Sequence, residues 1–262
     1  MKMALLSRMT WDDLGTDGIN TYLKSGGNVI MTVDRMHIHA EDADESARQF
    51  GIDVDDAVVL SRHSSASGKP TLTVHPIGNY HDNHMGGKAE VLVHPMPHMM
   101  TGTLRRIKAS NDMPEYEVSF EVTHHGPYLS VPAMYIEIGS DETHWGDTHA
   151  AGILVDSMLS AEEHDEYPVV TCVGGGHYAP RFTELALTHK VDIGHMLPYY
   201  QLKDAPDEDI MRMVDSAAKS TGSKMFYVHR KSLNGSEERR VNGIIDSLGY
   251  ERLVSKDFEP SV

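Results

Sequence analysis

The sequence has a single cysteine, Cys172, among its 262 residues. A disulfide within the chain is therefore impossible, which is typical of the reducing cytosol, and we predict a cytoplasmic location. Cys172 lies inside an apolar, β-branched run, and no neighbour in sequence would lower the pKa of its thiol. A core position is favoured over a nucleophilic one.

The sequence also lacks the long apolar segments that membranes require. No run approaches the about 18 apolar residues that mark a membrane-spanning helix. Residues 1–8 are too few for a signal peptide and have no small-residue cleavage site. We expect no membrane partner.

Positive charge is scarce, with 23 lysines and arginines against 39 acidic residues and a net charge of −16. DNA-binding proteins need a positive surface, so we predict no DNA partner. Short basic segments at 105–108, 230–231 and 239–240 are the candidates for a local basic patch. Each is also typical of ordinary solvated surface.

Several catalytic motifs are missing. The sequence contains no Gly-x-Ser-x-Gly elbow, no His-Glu-x-x-His pair, no dinucleotide-binding fingerprint and no Walker loop. Histidine, in contrast, occurs 17 times. A histidine-rich, cysteine-poor chain favours metal sites made of imidazole and carboxylate over thiolate sites.

The alternation of strand and helix patterns predicts an α/β fold, a three-layer α/β/α arrangement around a mixed, largely parallel sheet. We expect one compact unit over 1–262, with a smaller α+β lobe inserted at 76–115, where Pro, Gly, Met and His are frequent. Strands are predicted at 3–9, 28–33, 57–61, 71–74, 116–123, 134–138, 169–173 and 224–228. Helices are predicted at 11–25, 43–50, 99–110, 144–159, 183–189, 207–220 and 236–248.

Chemically active residues recur where predicted strands end. These are His75, the pair His124-His125, Glu137, and the turn Gly174-Gly-Gly176 with His177 directly after it. In an open parallel sheet the carboxyl ends of strands share one edge, where ligands bind. We therefore expect these groups to form one site.

The residue types suit hydrolysis assisted by zinc, in which neutral imidazoles hold the metal and an activated water attacks. The candidates fall into three groups. Metal ligands are His75, His124, His125 and His195; acid–base residues are Glu137, Glu184 and His177; substrate-binding residues are Gly174, Gly175, Gly176 and Arg181.

Each assignment has a structural alternative. Adjacent histidines such as His124 and His125 are often coincidental, and Glu137 is also explained as a buried, hydrogen-bonded carboxylate. Arg181 is suited either to gripping a phosphate or to pairing with Glu184 on the surface.

Several blocks together resemble the archaeal and plant type of D-aminoacyl-tRNA deacylase. They are Thr123-His-His-Gly-Pro127, Tyr135-Ile-Glu-Ile-Gly-Ser140, Gly174-Gly-Gly-His-Tyr-Ala-Pro-Arg181, Gly194-His195 and His75-Pro-Ile-Gly-Asn79. The resemblance implies a cytosolic, zinc-dependent hydrolase that acts on the ester at the 3′ end of D-aminoacyl-tRNA. It also implies a phosphorylase/hydrolase-like fold.

Two other functions remain open at this point. A zinc peptidase or amidohydrolase would use the same metal chemistry, and a non-catalytic tRNA- or nucleotide-binding protein would use the glycine turn as a phosphate cradle. The oligomeric state is open, with a monomer favoured.

Overall fold

Three β-sheets organise the chain in a computed structural model, which describes residues 1–65 and 68–261. Residues 66, 67 and 262 of the predicted unit lie outside the described residues. Helices pack on both sides of the two larger sheets, which confirms the α/β class.

The N-terminal region differs from its prediction. Residues 3–9 were expected to form a strand and instead lie largely in a short helix, α1 (Lys2–Leu6). Residues 11–25 were expected to form a helix and instead form a hairpin that belongs to an antiparallel three-stranded sheet. Its strands are β1 (Asp12–Thr16), β2 (Thr21–Ser25) and β3 (Asn28–Thr32).

The physical reason for the hairpin is the turn around Asp17. The Asp17 carboxylate accepts hydrogen bonds from the backbone of Ile19 and Asn20 and from the Tyr22 hydroxyl. Gly18 adopts a positive φ in this turn. Such aspartate turns compete with helical hydrogen bonding, and here the turn prevails over the amphipathic pattern.

The second sheet is mixed and has the strand order β4-β7-β5-β6. Strand β7 runs antiparallel to β5, whereas β4 pairs with β7 and β5 pairs with β6 in parallel. The strands are β4 (Ala57–Arg62), β5 (Thr71–Pro76), β6 (Glu117–Phe120) and β7 (Ala133–Gly139).

The third sheet is entirely parallel, with the order β11-β10-β8-β9. All its strands therefore end at the same edge. Strands β9 and β11 were not predicted, because β9 mixes Asp, Gly and His with its apolar residues and β11 is only three residues long. The strands are β8 (Val169–Val173), β9 (Asp192–Leu197), β10 (Met225–Val228) and β11 (Glu251–Leu253).

The remaining helices largely follow the predicted periodicity, except that the helix expected at 144–159 is broken into two. An Asp147 cap, whose carboxylate accepts from the backbone of His149 and Ala150, starts the second of them. The helices are α2 (Ala43–Gln49), α3 (Pro97–Ser110), α4 (Glu142–Trp145), α5 (Thr148–Leu159), α6 (Pro180–Thr188), α7 (Tyr199–Leu202), α8 (Asp207–Thr221) and α9 (Gly235–Ser247).

Residues 76–115, predicted as a possible inserted lobe, contribute one long helix to the main body of the fold. Helix α3, within that range, packs on β5, β6 and β9. Its residues Met100, Leu104 and Ile107 are fully buried in the largest apolar cluster. The unusual composition of this region therefore reflects the loops that precede α3 and not an independent core.

Two helical glycines give a stability prediction of opposite signs. A Cβ added at Gly102 in α3 would lie 2.3 Å from the Glu162 carbonyl oxygen, whereas one at Gly243 in α9 would meet nothing within 4 Å. We expect Gly102→Ala to lower the free energy of unfolding by about 1–3 kcal/mol. We expect Gly243→Ala to raise it by about 0.5–1 kcal/mol, because alanine favours helices.

Urea unfolding of both variants beside the wild type measures the two effects. A stabilising Gly102→Ala substitution would show that the close contact between α3 and Glu162 does not constrain the protein.

Candidate active site

Histidines and carboxylates converge where the second and third sheets meet. The backbone after β6 makes this junction: residues 121–124 bridge to Tyr178 on one side and to Ile77 on the other. The Thr123 N–H also donates to the Met196 carbonyl of β9, 3.2 Å away. The cluster consists of His63, His75, Glu121, His124, His125, Glu137 and His177.

Three imidazoles on one side of the cluster are oriented by the backbone. The Nδ1 atoms of His75, His124 and His125 lie 3.0, 2.7 and 2.7 Å from the carbonyl oxygens of Pro76, Val122 and Gly126. A carbonyl oxygen only accepts, so each Nδ1 donates a proton, and Nε2 is the ring nitrogen that remains for a metal. Burial opposes a charge on His75, but Glu137 outweighs burial and raises the pKa of that imidazole. Holding one ring nitrogen in this way is how proteins prepare histidines as metal ligands.

Burial keeps two of these imidazoles neutral. Desolvation and the neighbouring imidazoles hold the pKa of His124 well below its ordinary value. Burial, together with His75, lowers the pKa of His125 to about 4. Neutral imidazoles at neutral pH are the form that coordinates a metal.

Glu121 organises the other side of the cluster. Its Oε2 atom lies 2.9 Å from His177 Nε2, 3.3 Å from His63 Nδ1 and 3.6 Å from His124 Nε2. Burial alone would raise the pKa of this carboxyl, but the imidazole of His177 and its neighbours offset that effect and hold the pKa below the ordinary value.

Glu137 lies between the two sides. Its Oε2 atom is 3.6 Å from His63 Nδ1 and 3.7 Å from His75 Nε2. Burial opposes ionisation, yet these two imidazoles hold the pKa of the carboxyl well below its usual range. Glu137 lies two residues before the end of β7, near the strand end as predicted. Because β7 is antiparallel to β5, however, the two strands end at opposite edges, and Glu137 pairs with Thr73, two residues before His75. Its side chain therefore shares a sheet face with that of His75.

Several buried polar atoms of the cluster lack a hydrogen-bond partner among the described residues. His63 Nε2, His75 Nε2, Glu121 Oε1 and Glu137 Oε2 are buried and have no hydrogen-bond partner in the part of the chain that the structure describes. Buried polar atoms are rarely left unpaired, so several converging on one point indicate a bound ion or water.

Two separate sets of three groups have ligand atoms within 4.8 Å of one another. The first is His75, His124 and His125, and the second is His63, Glu121 and His177. A further set of His75, Glu121 and Glu137 links them. Three nitrogen or carboxylate ligands, with a fourth position taken by water, are typical of a catalytic zinc site. The residues present thus fit a metal, at one position or at two.

His195, predicted as a metal ligand, is not part of the cluster. Its Nδ1 lies 3.0 Å from Thr123 Oγ1, and its Nε2 lies 3.0 Å from the Val93 carbonyl and 3.1 Å from Ser220 Oγ. Both ring nitrogens are therefore already engaged. His195 ties β9 to the loop before α3 and to α8, and the structure does not bring it together with the other predicted metal ligands.

Arg181 and Glu184 are likewise placed elsewhere. The Arg181 guanidinium donates to Tyr227 Oη at 2.9 Å, to Glu184 Oε2 at 2.7 Å and to Ser255 Oγ at 2.8 Å. Both side chains are thereby committed to a structural network on α6. Neither the phosphate-binding role of Arg181 nor the acid–base role of Glu184 fits this arrangement.

The glycine turn is only partly open. Gly174 packs tightly: an added Cβ would lie 2.4 Å from Ser232 Oγ. The Gly175 N–H donates to Ser232 Oγ at 2.9 Å. Gly176 alone faces open space, with nothing within 4 Å of an added Cβ. The turn places His177 beside Glu121, and Gly176 is the part of the turn that leaves space for a ligand.

Sequence reasoning missed His63 and Glu121, although both carry the signals used elsewhere. His63 directly follows Arg62, the last residue of β4, so it obeys the strand-end pattern. Glu121 sits between Phe120 and Val122 and is fully buried, the same situation that singled out Glu137.

No helix in the described ranges is long and apolar enough to cross a membrane.

Comparison with known proteins gives consistent matches. The family model for D-aminoacyl-tRNA deacylase matches residues 50–253. Proteins named D-aminoacyl-tRNA deacylase from Archaeoglobus fulgidus (33% identical; 98% of this chain, 91% of the relative) and Thermoplasma acidophilum (39%; 75% and 76%) are similar to it. A relative of that name from Methanococcoides burtonii is 33% identical over 99% of this chain, which spans only 54% of that relative.

A crystal structure described as a conserved protein of unknown function has the same fold. Its TM-score is 0.88 at 33% identity, and the match covers 98% of this chain and 92% of that one.

The Arg181 network yields a stability prediction. We expect Arg181→Met, which keeps the aliphatic stem, to lower the free energy of unfolding by about 1–2 kcal/mol, because the hydroxyls of Tyr227 and Ser255 lose their donor. Glu184→Gln should cost less than about 0.5 kcal/mol, since that ion pair is largely exposed. Chemical unfolding checks both, and an Arg181→Met protein as stable as the wild type would return this residue to the list of candidates for ligand binding.

Proposed function

This chain belongs to the D-aminoacyl-tRNA deacylase family, and we propose that it hydrolyses the ester joining a D-amino acid to the 3′ end of tRNA. The products are the free D-amino acid and tRNA, and the reaction takes place in the cytoplasm. The observation that carries the proposal is the cluster of five imidazoles and two carboxylates with buried, unpaired ligand atoms.

Zinc is the cofactor that this donor set favours. Imidazole nitrogens and carboxylate oxygens suit zinc, and thiolate is absent from the cluster. His75, His124 and His125 would hold one ion, and His63, Glu121 and His177 would hold a second. When bound, zinc would lower the pKa of a water and polarise the ester carbonyl.

Glu137 is the residue that moves the proton. Its Oε2 atom is buried, unpaired in the described part of the chain, and positioned between the two ligand sets. It accepts the proton from the attacking water and returns it to the 3′ oxygen of the leaving ribose, so the ester and one water become an acid and an alcohol. The lowered pKa keeps this carboxyl ionised at neutral pH, which is the form that a general base requires.

The substrate approaches from the side of His177. His177 is the most exposed member of the cluster, with 38% of its side chain accessible, whereas His75, Glu121 and Glu137 are enclosed. Gly176 precedes it and leaves space for a ligand beside the chain. The glycine turn therefore contacts the substrate, and the ester is cleaved at the cluster.

Hydrolysis of matched D- and L-aminoacyl-tRNA by the purified protein tests the proposed function. We expect cleavage of the D-ester and sparing of the L-ester, loss of activity with a chelator, and recovery on adding zinc. Equal rates on the two enantiomers would contradict the stereospecific part. Cleavage of small peptides in place of aminoacyl-tRNA would favour a zinc peptidase.

The same assay locates the chemistry. Glu137→Gln should lower kcat by about 10²- to 10⁴-fold, as expected when a general base is lost, while KM changes little. Glu184→Gln is the matched control and should retain wild-type kcat. If both variants were equally active, the cluster would not be where the ester is cleaved.

A further inference from the structure

Three neighbouring strands of the parallel sheet end beside the catalytic cluster and form one surface. Strand β8 ends at the glycine turn, β9 leads through Pro198 into Tyr199 and Tyr200, and β10 leads into His229 and the 3₁₀ turn Arg230–Ser232. Because these strands are parallel and adjacent, their exits lie side by side at a single sheet edge. Such an edge is where ligands bind in α/β proteins.

Hydrogen bonds lock the three exits together. The Gly174 N–H donates to the Leu197 carbonyl at 2.8 Å, and the Tyr199 N–H donates to the Gly175 carbonyl at 2.9 Å. On the other side the His229 N–H donates to the Val173 carbonyl at 2.8 Å. The surface is therefore preorganised, which reduces the entropy lost on binding a ligand.

The His229 ring and the Lys231 ammonium on this surface have no hydrogen-bond or ion-pair partner among the residues that the structure describes. The His229 ring is half-buried, its Nδ1 would lie 3.5 Å from a Cβ at Gly175, and neither ring nitrogen makes a hydrogen bond with any described residue. Lys231 is exposed and forms no ion pair in the ranges 1–65 and 68–261. Burial, the charge of Arg181 and the charge of Lys231, in that order, lower the pKa of His229. Lys231 lies two residues beyond His229 and directly before Ser232, whose Oγ accepts from the Gly175 N–H. An ammonium, an imidazole and the open Gly176 therefore belong to segments that adjoin the glycine turn.

An aromatic side chain borders the same surface. Tyr200 is 48% exposed, and its neighbour Tyr199 is fixed to the glycine turn. An exposed aromatic ring of this kind is a stacking platform for a nucleobase.

The glycine turn and the cluster are neighbours along the chain, as the 5′-phosphate and the ester are neighbours in an aminoacyl-nucleotide. Gly176 is one residue, about 3.8 Å, from His177, and His177 is within hydrogen-bond distance of Glu121. In the substrate the ester, the ribose and the 5′-phosphate of the last nucleotide follow one another. With the ester at the cluster, the phosphate is one sugar away, and the glycine turn is the surface that adjoins the cluster through His177.

Resting on the proposed function, we propose that this surface is a subsite for the 3′-terminal nucleotide of tRNA. Lys231, His229 and the Gly176 N–H hold its 5′-phosphate, and the base stacks on the Tyr200 ring. We term it the nucleotide subsite. Arg181, held by Tyr227 and Ser255 behind the turn, takes no part.

The nucleotide subsite also accounts for substrate binding by a chain of net charge −16. Most arginines are engaged in ion pairs, including Arg212 with Glu90 and Arg240 with Asp207. Lys231 stays available at the one edge where the reaction occurs. Binding one phosphate next to the ester requires a local positive charge and not a positive protein surface.

Binding of adenosine 5′-monophosphate and adenosine to the purified protein tests the phosphate contact without any turnover. We expect the monophosphate to bind about fivefold to tenfold more tightly. Lys231→Met should abolish that difference and leave adenosine binding unchanged. Lys224→Met is the matched control, since Lys224 is an exposed lysine just before the opposite end of the same strand, and it should keep the difference.

Equal affinities for the two ligands in the wild type, or a preference that survives in Lys231→Met, would overturn the phosphate contact. Because this measurement needs no catalysis, it fails separately from the proposed function, which fails when D-aminoacyl-tRNA is not cleaved.

Tyr200 is tested by a pair of substitutions. Tyr200→Phe keeps the ring and should bind adenosine as the wild type does, whereas Tyr200→Ala should bind it about tenfold more weakly. With D-phenylalanyl-tRNA as the probe, Tyr200→Ala and Lys231→Met should raise KM severalfold and leave kcat within about twofold, as expected when uniform binding is lost. Wild-type KM in both variants would overturn the nucleotide subsite.

Discussion

The negative charges of two buried carboxylates determine which residues must surround them in this structure. Glu121 and Glu137 are almost completely enclosed, and a carboxylate without compensation in such a place is very unfavourable. Imidazoles surround both, with His63 in contact with each. The arrangement still leaves acceptor atoms unpaired, so the charges are only partly compensated by the protein itself. A divalent cation bound here would supply the missing positive charge, which is the physical argument for the proposed metal centre.

The fold serves this cluster by joining two different sheets. One ligand group comes from β5 and β7 of the mixed sheet, and another follows the glycine turn after β8 of the parallel sheet. The backbone after β6 connects them, because Glu121 bridges to Tyr178 and His124 bridges to Ile77. The imidazoles of His75, His124 and His125 are held by backbone carbonyls. Groups fixed in this way would lose little entropy on binding a metal, and His177 is the most exposed member of the cluster.

Much of the site could be predicted from the strand-end pattern, since His75, His124, His125 and His177 lie together. The pattern failed where it depended on sheet direction or on partners distant in sequence. Glu137 reaches the cluster from a strand antiparallel to β5, and the contact of His195 with Val93 spans 102 residues. Local periodicity contains neither kind of information. The hairpin at 12–25 shows the same limit on a smaller scale, since one aspartate turn outweighs an amphipathic pattern.

The most direct test of the account is an anomalous difference map, recorded at the zinc absorption edge, from crystals of zinc-loaded protein. The account predicts a peak about 2.0–2.1 Å from the Nε2 atoms of His75, His124 and His125, the normal zinc–nitrogen distance. A second peak beside His63, Glu121 and His177 would identify the other ligand set as occupied. A map with no peak in the cluster, or with zinc only at surface histidines such as His84, would contradict the assignment of the cluster as a zinc-dependent hydrolytic centre.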